Sequence, residues 1–127
     1  MTLYNLFLVG MGGFTGAVFR SLVFLMTNRI FDAPFIPYGT LIVNVVGCFL
    51  IGFLGGLSEM RQFFSPEIRA LVLIGFLGGF TTYSAFGYEV VSLFRNDQIL
   101  AAFANTMFHL ILGFSAVYCG FSISKLV

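Results

Sequence analysis

The polar residues of this 127-residue chain are few, and the informative ones sit inside apolar stretches. Asn44 lies in the run Gly39-Thr40-Leu41-Ile42-Val43-Asn44-Val45-Val46-Gly47, with Thr40 one helical turn earlier on the same face. A second group is Gly78-Gly79-Phe80-Thr81-Thr82-Tyr83-Ser84, with Glu89 just beyond it. Asn105 and His109 form a third, and Arg20 is the one charge well inside the first apolar stretch. Amides and hydroxyls in such surroundings are costly unless they are paired or have a task. Neutral donors beside aromatic rings, whose edges carry partial positive charge, suit a small and strongly hydrogen-bonding anion. Core packing accounts for most of the phenylalanines, and Asn44 alternatively bridges two helices. His109 reads either as a structural hydrogen-bonder or as a proton-handling residue. Enzymatic chemistry has little support, because no carboxylate pair and no His/Cys cluster falls at catalytic or metal-ligand spacing. Cys48 and Cys119 read as small apolar fillers.

The elements that must position these residues follow from composition. Hydrophobic residues make up 59% of the chain and charged residues 9%, far too few charges to solvate the surface of a globular domain. A nucleic-acid binder is excluded too, since it needs a basic face and the net charge is only +1. Four stretches are long and apolar enough to cross a bilayer: residues 3–26, 38–57, 70–94 and 99–126. The connectors between them hold most of the charge and all three prolines. In the second, Ser65-Pro66-Glu67 reads as a helix start with serine as N-cap and proline at the first helical position. The expected fold is a single all-α, four-helix transmembrane domain spanning residues 1–127. The first stretch lacks a basic leader and a small-residue cleavage site, so it reads as a span rather than a signal peptide.

Charge does not set the orientation. Arg61, Arg69 and Lys125 fall on one side, and Arg29, Arg95 and a snorkelling Arg20 on the other. Such a tie fits either a weakly biased protein or a chain that inserts both ways and pairs with its inverted copy. Gly12 and Gly16, Gly52 and Gly56, and Gly75 and Gly79 are each four apart, as close helix packing requires. Within the third span, Gly78-Gly79 and Thr81-Thr82 are poor helix formers. They predict a break that frees carbonyls at mid-membrane, to be satisfied by a cation or, for a plain kink, by the threonine hydroxyls.

Three ordered motifs resemble one family. Gly12-Gly13-Phe14-Thr15-Gly16-Ala17-Val18-Phe19-Arg20 is similar to the GGxxGAxxR start of the Fluc/CrcB fluoride channels, and Gly39-Thr40…Val43-Asn44…Gly47 to their GTxxVNxxG segment. The run from Gly75 to Phe86 resembles their GFxGGxTTFSTF signature, with Glu89 at the matching place. The resemblance implies an antiparallel, dual-topology homodimer in the bacterial cytoplasmic membrane, with two fluoride pathways. It implies a structural sodium ion at the dimer interface, held by the carbonyls of Gly78 and Thr81 from each chain. Tyr83 and Phe86 would stand for the pore phenylalanines and Asn44 for the pore amide. Thr40, Thr82, Ser84 and Glu89 would lie along the polar track, and Arg20 near a vestibule.

This chain departs from the pattern in three places. Tyr83 replaces the first signature phenylalanine and adds a hydroxyl, and His109 stands where the family usually has serine in the fourth-helix track. Cys48 replaces a common serine after Gly47. The main rival reading is a small dual-topology multidrug or cation exporter, which matches in length and span number. Proton exchange would require an acid in its first helix, and this first helix has none. A structural membrane subunit is a second rival, one that leaves Asn44 without a purpose.

Overall fold

The computed structural model describes residues 1–32, 35–62 and 64–127; Ala33 and Pro34 of the first connector and Phe63 of the second lie outside the described residues. The described residues are helical, with no strand among them, and four helical spans are long and apolar enough to cross a membrane. This is a multi-pass membrane protein. Helix α1 runs Leu3–Ile30, α2 Tyr38–Arg61 and α6 Ile99–Ser124. The third span is composite: α3 (Pro66–Ile68), a π-helical segment (Arg69–Phe76), α4 (Leu77–Phe80) and α5 (Tyr83–Arg95).

Local chemistry explains the ends. Thr2 caps α1 by accepting from the Asn5 N–H, and Ser65 caps α3 by accepting from the Ile68 N–H, with Pro66 in the first turn. Helix α1 continues past the apolar stretch through Thr27, Asn28 and Arg29 to Ile30. Thr27 is buried, and its hydroxyl donates to the carbonyls of Val23 and Phe24. Helix α2 likewise extends to Arg61, where Gln62 turns the chain with φ 47°. Polar ends of this kind suit the water-facing margin of a span.

Packing falls into two parallel pairs. In the first, α1 lies on the π segment and α4 with backbone against backbone. A Cβ added to Gly12 would overlap the Leu71 carbonyl oxygen, and one on Gly16 would overlap that of Phe76. From the other side, a Cβ on Gly75 would lie 2.7 Å from the Val9 carbonyl, and one on Gly79 would overlap that of Gly13. In the second pair, α2 lies on α6: Gly52 abuts the Val117 carbonyl and Gly120 that of Phe49. Both pairs use small residues to bring main chains together, as membrane helices do where lipid offers no hydrophobic drive for association. Helix α5 is different. It touches α6 and α2 along one side and contains no fully buried residue.

Candidate functional site

At the centre of the third span the backbone leaves the helix for two residues. Thr81 has φ −85° and ψ 158°, and Thr82 has φ −150° and ψ 116°. Between two helices at that depth, each unpaired peptide group would cost several kcal/mol. Asn44 on α2 resolves most of this. Its Nδ2 donates to the Thr82 carbonyl at 3.0 Å, and its Oδ1 accepts from the Thr82 N–H at 2.8 Å. In a continuous helix that N–H would bond the Gly78 carbonyl; given to Asn44, it leaves the Gly78 oxygen without that partner. Thr82 then restarts the helix, its hydroxyl accepting from the Ala85 N–H and lying 3.4 Å from the Ser84 hydroxyl.

Around this pair the side chains named from sequence converge. Asn44, Gly78, Thr81, Thr82, Tyr83, Phe86 and His109 all line one open groove of about 540 Å³. The Phe86 ring lies 4.2 Å from the His109 ring and 6.0 Å from that of Tyr83, centroid to centroid. His109 Nδ1 sits 2.9 Å from the Asn105 carbonyl one turn earlier. Thr40, almost fully buried, donates its hydroxyl to the Glu89 carboxylate. Those two face a smaller cavity of about 160 Å³ with Thr27, Asn28 and Tyr38. Ser84 is exposed beside the groove. Arg20 turns inward, and its Nη1 donates to the Thr81 carbonyl at 3.2 Å, where sequence alone suggested snorkelling toward an end.

Sequence reasoning grouped Asn105 with His109 on one polar face but did not count it among the residues of the ion path. It is fully buried, and neither atom of its amide has a hydrogen-bond partner, a costly state for a group in an apolar interior. Leu77, Leu110 and Phe114 also line the groove wall, but apolar residues among so many others carry no local signal. No group of three His, Cys, Asp or Glu among the described residues could hold a metal. Any cation here would rest on oxygens of the main chain or of the hydroxyl and amide side chains. The Gly78 and Thr81 carbonyls are suited to that: one has lost its helical partner, and the other accepts from Arg20 with a lone pair to spare.

The family model described as CrcB-like protein, Camphor Resistance (CrcB), matches residues 7–121. The chain belongs to the CrcB family. A relative from Chlorobium phaeobacteroides (strain BS1), named fluoride-specific ion channel FluC, is 44% identical over 125 residues, covering 95% of this chain and 93% of its own. Its namesake from Shewanella loihica (strain ATCC BAA-1088 / PV-4) is 45% identical over 116 residues, with 91% and 92% covered. That of Flavobacterium psychrophilum (strain ATCC 49511 / DSM 21280 / CIP 103535 / JIP02/86) is 37% identical over 121 residues, with 95% and 97% covered. The matched stretch of this CrcB chain contains the two glycine-packed helix pairs, the extended threonines and the Asn44 clamp.

Proposed function

We propose that this chain forms a passive fluoride-selective channel that exports fluoride across a bacterial cytoplasmic membrane and so confers fluoride resistance. The observation that carries the reading is the Asn44 clamp on Thr82, which holds a short extended segment beside the rings of Tyr83 and Phe86. The relatives named as fluoride-specific channels supply the ion. Fluoride must shed water to enter hydrocarbon, at a cost that only close donors can offset. The donors available are the Asn44 amide, the Thr82 and Ser84 hydroxyls and the ring edges of Phe86 and Tyr83; Thr40 and Glu89, bonded to each other, lie along the same side of α2 and α5. A narrow set of short-range donors favours fluoride over chloride by size and hydrogen-bond strength.

The working unit in this reading is an antiparallel homodimer with two pathways. Three features support it: the unburied flank of α5, the groove open along one face, and the charge tie between the two sides of the membrane. The same arrangement suits a structural sodium ion. Gly78 and Thr81 would hold it through their carbonyls, with the inverted copy supplying an equal share. Such an ion would add fixed positive potential at the dimer centre. Arg20, bonded to the Thr81 carbonyl, would hold that oxygen in place from the α1 side.

Phe86 is the direct test. Phe86→Ile removes the ring edge while keeping an apolar side chain of similar reach. We expect loss of fluoride efflux from reconstituted vesicles, read with a fluoride electrode, from protein that purifies at the wild-type size. Wild-type efflux in this variant would place the path elsewhere.

A further inference from the structure

Resting on the fluoride reading, we propose that His109 takes up a proton as fluoride occupies the pathway, so that fluoride flux rises as the pH falls. His109 stands in the groove wall with its ring on Phe86. Its Nδ1 is committed: at 2.9 Å from the Asn105 carbonyl it must carry hydrogen and donate. The neutral ring therefore bears its lone pair on Nε2. That atom is buried, faces the Thr40 backbone and has no partner in hydrogen-bond geometry. A proton added there turns Nε2 into a donor and places a full positive charge beside the groove.

The charge has support on two sides. The Phe86 ring lies within the roughly 6 Å over which an aromatic face attracts a cation. One turn away the Asn105 amide, fully buried, has an unused N–H₂ that no protein group takes. On this face of α6 the His109 Nε2 and the Asn105 amide both lack a hydrogen-bonded protein partner, and a positive charge on the ring would draw an anion to the groove that His109 lines. Alone, an imidazolium in this apolar setting would be expensive; with fluoride beside it the two charges offset each other. Proton and fluoride then strengthen each other's binding, by the reciprocity that any coupled pair obeys. The proton comes from water at the open side of the groove and returns there, with no other bond made or broken.

Other titratable groups face His109 from its neighbours. On α5 these are Tyr83 and Glu89, the latter bonded to the Thr40 hydroxyl; on α2 there is Cys48; α6 brings none within two turns. The experiment therefore compares variants. Full-length protein in liposomes is assayed for fluoride efflux between pH 7.5 and 5.5, equal on both sides, with protein-free vesicles subtracted for leak of the neutral acid. Wild-type flux should rise about threefold or more from the top of this pH range to its bottom. His109→Ser and His109→Gln should give flat profiles, Gln keeping a donor that does not titrate. A flat wild-type profile, or the same slope in both variants, would overturn the inference and leave the channel intact. Absence of wild-type fluoride flux at every pH would overturn the fluoride reading itself, and this inference with it.

Discussion

Replacing Asn44 by alanine is expected to silence fluoride efflux and to loosen the centre of the molecule. The amide makes two hydrogen bonds to one residue, to the N–H and the C=O of Thr82, and so clamps the two peptide groups that flank its Cα. Without it a buried N–H and a buried C=O lose their partners, at about 1–3 kcal/mol each. The backbone can recover the N–H bond only by closing the helix onto Gly78, which erases the extended segment and withdraws its carbonyls from the groove. Asn44→Asp separates the two roles. The carboxylate keeps an acceptor for the Thr82 N–H but puts negative charge on an anion path, so efflux should be lost while the fold is better preserved than in Asn44→Ala. Thermal unfolding in detergent, run beside the efflux assay, reads both. Efflux above half the wild-type rate in Asn44→Ala would remove Asn44 from the path.

The second large effect is expected at Gly16. Its added Cβ would overlap the Phe76 carbonyl oxygen and lie 2.8 Å from the Phe80 N. Both are main-chain atoms of a helix, so neither can swing aside as a side-chain tip would. Gly16→Ala must push α1 off the third span, and overpacking of this kind costs about 1–3 kcal/mol or more. The same displacement pulls Arg20, one turn further along α1, away from the Thr81 carbonyl that it bonds. Lower thermal stability and reduced efflux should therefore appear together. Gly10→Ala is the matched control, because nothing lies within 4 Å of a Cβ there. Equal stability of the two variants would contradict the close backbone packing.

These effects show what a single sequence can disclose. The four spans were legible because hydropathy over 20 residues is a local property, and the glycine pairs because a spacing of four fixes a helix face. Ser65 and Pro66 announced the start of the third span for the same reason. Partner choice is another matter. Asn44 was visible as a costly amide, but nothing local says that it bonds both the N–H and the C=O of Thr82, 38 residues away. Arg20 was expected to reach for the membrane surface, and its inward bond to Thr81 depends on how Gly16 sets the distance between α1 and α4. The π winding from Arg69 to Phe76 had no sequence signal at all, because its residues read as an ordinary apolar helix. The unpaired amide of Asn105 could be found only once its surroundings were known.

In the proposed channel, neutral donors and ring edges build a path for fluoride and reject larger halides. This is tested most directly by reconstituting the full chain in liposomes loaded with potassium fluoride or potassium chloride. Efflux is started with valinomycin into a low-potassium medium, and each halide is read by its own electrode. Fluoride should leave rapidly, and chloride only at the rate of protein-free vesicles. Chloride leaving as fast as fluoride would contradict that selectivity.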